Sequence, residues 1–255
     1  MDVHLIPALS DNYVYLISDP ASGAVGVVDP GEAEPVLAAL DRLGLKLTHI
    51  LNTHHHGDHI GGNQTLKQRF GATLIGPRAE SARIPDMDAT VGEGDSVRFG
   101  SQTARVFETP GHTSGHIAFW FETAGALFSG DTLFALGCGR LFEGTPTQMW
   151  TSLFKLRALP GATRVYCGHE YTLSNARFAV TVDPENRELH ARVARVEAQR
   201  ARGEPTVPST LEEEVRTNPF LRADQPSVQA AVGMSGAAPT EVFAEIRRRK
   251  DVFRG

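Results

Sequence analysis

The run Thr53-His54-His55-His56-Gly57-Asp58-His59 concentrates imidazoles and a carboxylate within one short segment. His54, His56, Asp58 and His59 are side chains of the kind that bind zinc and similar borderline divalent metals. A single histidine is usually an ordinary core or surface residue. Three at this spacing beside an aspartate are not, and their interior position excludes an artificial tag. Two metals need more than four protein ligands, and three further candidates stand out. They are His112 in Gly111-His112-Thr113-Ser114-Gly115-His116, Asp131 in Gly130-Asp131-Thr132, and His169 in Gly168-His169-Glu170. Two divalent ions roughly 3.5 to 4 Å apart can share a water, lower its pKa toward about 7, and polarise a carbonyl oxygen. The chemistry expected is metal-assisted hydrolysis by a bridging hydroxide. Cys138 and Cys167 are then packing or turn residues rather than nucleophiles.

Each candidate needs an element to aim it. Short runs rich in Val, Ile and aromatics, closed by Gly, Pro or Asp, predict strands over 12–18, 24–29, 47–53, 105–109, 117–121, 126–129 and 165–167. Helices are predicted over 32–43, 60–70 and 147–159, the last with Met149, Leu153 and Leu156 at helical spacing. His54 to His59 thus fall on a strand-to-helix loop, where Gly57 is expected to permit the tight backbone that convergence requires. His112, Asp131 and His169 each follow a glycine at the C-terminal end of a strand. A sheet presents its loops to one shared site in this way.

After about residue 172 the strand signals stop. Residues 185–202 carry Leu189, Val193 and Val196 on one stripe with arginines on the other face, and a last helix is predicted from Thr240, a candidate N-cap, to Asp251. The organisation expected is α/β, with a catalytic domain over 1–171 and a helical domain over 172–255.

The chain has 255 residues, 41% of them hydrophobic, enough to bury a substantial core. Its net charge of −5 gives no basic surplus for nucleic acid. No apolar run approaches the roughly 18 residues of a membrane span, and the N-terminus lacks the pattern of a signal peptide. Two cysteines are too few for a disulfide framework, so a reducing cytoplasmic location is expected. Neither nucleic acid nor membrane is expected as a partner, and the chain is expected to be a monomer or weak oligomer.

In order, 53–59, 111–116 and 130–132 resemble the Thr-His-x-His-x-Asp-His, Gly-His-Thr-x-Gly-His and Gly-Asp-Thr motifs of the metallo-β-lactamase superfamily. The resemblance implies an αββα sandwich with a dinuclear site at one edge. It assigns His54, His56 and His112 to one metal, Asp58, His59 and His169 to the other, and Asp131 to both. Spacing alone does not make that division. It also implies that His55 points away from the site, that Asp29 and His116 orient ligands, and that Asp58 both binds metal and orients the hydroxide. His4, His49 and His190 are read as ordinary structural histidines. The ions expected are two divalent metals, zinc before iron or manganese.

The superfamily motif fixes chemistry better than substrate. Further downstream, Gly137-Cys138-Gly139-Arg140-Leu141-Phe142-Glu143-Gly144, Gly168-His169-Glu170-Tyr171-Thr172, Asn218-Pro219-Phe220-Leu221-Arg222 and Arg247-Arg248-Arg249-Lys250-Asp251 resemble the glyoxalase II (hydroxyacylglutathione hydrolase) family. That resemblance implies cleavage of S-D-lactoylglutathione to D-lactate and glutathione. It places Arg140, Phe142, Tyr171, Arg247 and Lys250 against the substrate, whose two carboxylates require cations remote from the reacting carbonyl. Two departures are visible. Phe142 stands where many members carry tyrosine, and Arg140 where lysine is common. Competing readings are a mononuclear-iron sulfur dioxygenase, expected to lack the helical domain, a nuclease, expected to be more basic or aromatic, and a structural zinc module, expected to use thiolates.

Overall fold

The computed structural model describes residues 1–255. The chain divides into two compact units that alternate along the sequence. The first takes Met1–Glu108 and Ser114–Gly130, the second Thr109–Thr113 and Asp131–Gly255.

In the first unit, strands β1 (Asp2–Ala8), β2 (Asn12–Asp19), β3 (Ala24–Val28), β4 (His49–Leu51), β5 (Thr73–Pro77) and β6 (Ala89–Val91) form a sheet in sequence order. The first three pair antiparallel, while β3 to β6 pair parallel. Their parallel direction brings the C-terminal ends of β3 and β4, with Asp29 and Thr53, to one edge. A second, antiparallel sheet contains β7 (Ser96–Phe99), β8 (Gln102–Glu108), β9 (Ile117–Phe121) and β10 (Ala126–Gly130).

Strand alternation sorts the core. Val14 and Leu16 of β2 join Val25, Val27, Ile50 and Leu74 under helices α1 (Glu34–Leu43) and, beyond the single turn α2 (Gly57–Ile60), α3 (Asn63–Phe70). Tyr15 faces the other way, its ring 5.6 Å from Phe128, which meets Phe121 at 5.9 Å, which in turn meets Phe99 at 6.0 Å. The two sheets therefore share an aromatic filling. Helix α1 has Val36, Ala39 and Leu40 buried at i, i+3, i+4 spacing and stops at Gly44, in the left-handed conformation with φ 65°.

The second unit holds the short strands β11 (Leu133–Phe134) and β12 (Gly137–Cys138), a pair formed by β13 (Arg164–Cys167) and β14 (Ser209–Thr210), and six helices. These are α4 (Pro146–Arg157), α5 (Thr172–Val182), α6 (Arg187–Ala201), α7 (Leu211–Thr217), α8 (Pro226–Ala231) and α9 (Pro239–Val252). Helix α4 starts at a capping box between Thr145 and Gln148 with Pro146 in its first turn, and buries Met149, Leu153 and Leu156 as expected.

Several expectations need correction. The helix foreseen over 60–70 is two helices, so Asp58 and His59 sit in α2 rather than in a loop. Gly57 opens α2 with free space around its Cα, whereas Gly31 makes the close approach: a Cβ there would lie 2.2 Å from the Asp58 carbonyl oxygen. Thr240 lies inside α9, whose cap position is Ala238. Residues after 172 do contain a strand, β14, and helix α5 carried no recognised signal. Arg192 is not on a solvated face. It is buried and paired with the fully buried Glu214, because α6 packs against α7 and the helix has no dry way to bury a lone guanidinium.

Candidate metal centre

In the first unit, the edge formed by β3 and β4 is organised by Asp29. Its backbone, at φ 51°, turns the carboxylate so that Oδ1 accepts from the Thr53 amide at 2.8 Å and Oδ2 from the Thr53 hydroxyl at 2.7 Å. That hydroxyl has spent its proton, so it accepts from His54 Nδ1 at 3.0 Å. The lone pair of His54 is thereby left on Nε2, which lies 3.1 Å from Nδ1 of His56. Asp29 Oδ2 also stands 3.2 Å from His59 Nδ1, and His59 Nε2 stands 3.4 Å from Asp58 Oδ2. Asp58 Oδ2 accepts from the Asn12 amide at 3.0 Å. Asp29, foreseen as an orienting group, thus holds the Thr53 hydroxyl that meets His54 and lies beside His59.

His55 faces away from these groups and meets the buried Glu80 at 2.8 Å, whose other oxygen accepts from the Gly115 amide at 3.1 Å. His116 stacks on His54, with centroids 4.8 Å apart. Gly130 allows that stack. Its φ of 48° is left-handed, and a Cβ would stand 2.3 Å from Thr53 Oγ1 and 2.7 Å from His116 Nε2. Asn12 and Glu80 escaped the sequence reading. Asn12 could have been suspected as an isolated amide opening an apolar strand, but Glu80 lies 25 residues from its partner and gives no local signal.

In the second unit, Oδ2 of Asp131 lies 3.3 Å from Nε2 of His112 and 3.3 Å from Nε2 of His169. His112 Nδ1 faces the Arg140 carbonyl at 2.9 Å, an acceptor only, so the proton is on Nδ1 and the Nε2 lone pair points at Asp131. Two donors on one tetrahedral ion, with bonds of about 2.0–2.1 Å, stand about 3.3 Å apart. Each oxygen–nitrogen pair therefore has the spacing of two donors on one divalent cation, and one carboxylate oxygen serves both imidazoles. His4 is in β1, His49 bonds Thr48 Oγ1 at 2.7 Å, and His190 bonds the Pro184 carbonyl at 2.6 Å, all structural settings.

The residues foreseen for substrate also lie in this unit. Arg140 and Phe142 are exposed, and the Phe142 ring lies 5.1 Å from that of His112. Tyr171 is partly exposed and stacks on His169. Arg247 is buried, donating to the Cys138 carbonyl at 2.9 Å and to Asp251 at 2.9 Å, with its plane over the Phe220 ring at 5.1 Å. Lys250 donates to the Ser174 carbonyl at 3.1 Å and lies 5.5 Å from the rings of Phe178 and Phe253. Burial, then the charges of Arg247 and Arg140, pull its pKa down to about 8.

Known proteins resemble this chain over its whole length. The metallo-β-lactamase superfamily description matches residues 9–169, and the hydroxyacylglutathione hydrolase C-terminus description matches 170–253. A hydroxyacylglutathione hydrolase from Methylococcus capsulatus is 59% identical over 255 residues, covering 100% of both chains. The chain belongs to the hydroxyacylglutathione hydrolase family. The fold is accordingly the metallo-β-lactamase fold, of the αββα class, with a C-terminal helical domain. Among solved structures, ETHE1 from Myxococcus xanthus is similar at a TM-score of 0.72 and 28% identity, covering 100% of this chain and 93% of its own. TTHA1623 in a di-iron-bound form is similar at a TM-score of 0.61 and 27% identity, covering 85% and 98%. The fold and the grouped histidine and aspartate side chains support binding of a divalent metal. No helix is long and apolar enough to cross a membrane.

Proposed function

We propose that the protein hydrolyses the thioester of S-D-lactoylglutathione to D-lactate and glutathione, the second step of methylglyoxal detoxification. Family membership supports the reaction class. The observation that carries the site is Asp131, whose single oxygen Oδ2 meets the ligand nitrogens of His112 and His169 at equal distance. On this reading His54, His56 and His112 hold one ion, Asp58, His59 and His169 the other, and Asp131 both, with zinc the favoured metal and iron or manganese possible. Two such ions, when bound, supply hydroxide at neutral pH and positive charge for the carbonyl oxygen.

The chain's own groups do the rest. Asp29, through the Thr53 hydroxyl, leaves the His54 lone pair on Nε2 for an ion, and its carboxylate lies beside His59. Asp58, held by Asn12, orients the attacking water through its carboxylate. Arg140, Tyr171, Arg247 and Lys250 grip the glutathione half, with Phe142 supplying an aromatic surface. Remote binding of this kind brings the thioester carbonyl to the nucleophile. The leaving thiolate is stable enough near neutral pH to need no strong general acid. Residues 1–171 carry the reaction together with Arg140, Phe142 and Tyr171, and residues 172–255 add the cations Arg247 and Lys250, in a cytoplasmic enzyme whose two cysteines stay reduced.

Purified protein is expected to hold about two metals per chain and to consume the thioester absorbance in proportion to enzyme. A single metal per chain, or no turnover after metal reloading, would sink the reading.

A further inference from the structure

The segment Asn218-Pro219-Phe220-Leu221-Arg222 takes no part in the reaction just described, yet Asn218 is fully buried and uses its amide completely. Its Nδ2 donates to the Phe134 carbonyl at 3.1 Å, the Gly137 carbonyl at 3.0 Å and Glu214 Oε2 at 3.1 Å, and its Oδ1 accepts from the Phe220 amide at 3.0 Å. The two carbonyls belong to the turn between β11 and β12. Two further side chains, both from helices, meet the same turn. Glu214 accepts from the Leu136 amide at 2.9 Å, and Asn175 donates to the Ala135 carbonyl at 3.1 Å. Leu136 is left-handed at φ 56°, a conformation that a leucine holds only when its surroundings impose it.

What the turn carries explains the effort. Asp131 lies two residues before β11. Gly139, just after β12, donates its amide to the Thr132 carbonyl at 3.2 Å and passes so close to Asp131 that a Cβ would stand 1.9 Å from its carbonyl oxygen. The Cys138 carbonyl accepts from Arg247, and the Arg140 carbonyl fixes the His112 tautomer. One short hairpin therefore sets a bridging carboxylate, a ligand imidazole and a substrate cation.

We infer that Asn218 is a positioning residue for the reaction. By clamping the Phe134 and Gly137 carbonyls it fixes the 131–140 backbone, and through it Asp131, His112 and Arg247. The inference rests on the metal and substrate roles proposed above for those three residues.

The test compares wild type with Asn218→Ala, using zinc competition against a chelator, steady-state kinetics with S-D-lactoylglutathione, and thermal melting of the same preparations. In the folded variant, zinc affinity is expected to fall about 10- to 100-fold, as when a partner behind a metal ligand is removed, and KM to rise together with a lower kcat. A lower melting temperature with zinc affinity, KM and kcat all within twofold of wild type would overturn the inference. If Asn218→Ala does not fold, Asn175→Ala, which frees the Ala135 carbonyl of the same turn, is read by the same criteria. Wild type that binds zinc but does not turn over would refute the proposed substrate, and the zinc ratio would still decide the role of Asn218. Wild type that binds no zinc would overturn both.

Discussion

The phenol ring of Tyr171 lies flat on the imidazole of His169, with centroids 4.7 Å apart and planes within 3° of parallel. Glu170 between them turns the opposite way, its carboxylate accepting from the Thr206 amide at 2.8 Å and hydroxyl at 2.7 Å. A residue proposed for substrate is thus in ring contact with one proposed for metal. Tyr171→Phe keeps the stack and removes only the hydroxyl. It is expected to raise KM by up to roughly tenfold, the net worth of one hydrogen bond being about 0.5–1.5 kcal/mol, with metal content unchanged. Tyr171→Ala is expected to lower metal retention as well. Equal metal loss in both variants, measured by metal analysis, would contradict this division.

Replacing a ligand should cost more than replacing its support. His169→Ala is expected to leave about one metal per chain and to lower kcat/KM by more than about 100-fold. Asp29→Asn, which weakens the hold on both His54 and His59, should fall within about 10- to 100-fold. Full activity and two metals in His169→Ala would show the ligand assignment to be wrong.

Lys250 gives the substrate grip a pH limit. Its pKa is pulled down from 10.5 to about 8, by burial first and then by Arg247 and Arg140, with Asp251 acting the other way. Only the protonated amine is a cation, so its charge is present below pH 8 and lost as pH rises through that value. KM is expected to climb above pH 8 in wild type and to stay level in Lys250→Arg, which remains ionised. A wild-type KM that is flat from pH 7 to 9.5 would contradict the assignment.

Arg247 should behave differently from Lys250. It is buried and bonded to the Cys138 carbonyl, so Arg247→Ala is expected to cost about 1–3 kcal/mol of stability through that unsatisfied acceptor as well as to raise KM. Lys250→Ala is expected to raise KM with less thermal loss. Denaturant melts of the two variants separate the effects.

Both thiols should be silent in the folded protein. Burial pushes Cys138 up to about 11 and Cys167 up to about 12. A thiol reagent at pH 7.5 is expected to find almost none in native protein and two after unfolding. Rapid native reaction with loss of activity would revive a thiol role.

The sequence by itself determined the metal chemistry. The proposed ligands His54, His56, Asp58, His59, His112, Asp131 and His169 are chemically distinctive side chains next to glycines and strand ends, recognisable from residue type and short spacing. It also determined most of the α/β order, because period-2 and period-3.6 patterns are local; β9 at Ile117–Phe121 matches its expected bounds. Only the tertiary structure decided what surrounds each of these side chains. Asp29 holds, across 24 residues, the Thr53 hydroxyl that meets His54, and Glu80 draws His55 aside over 25 residues, neither through any local pattern. The same holds for Arg192, whose helical spacing put it on a solvated face and whose neighbour Glu214 buried it, and for Asn218, which reaches a turn 81 and 84 residues earlier in the chain. Hydrogen bonds depend on direction as well as distance, and direction is set by packing between segments that sequence spacing does not connect.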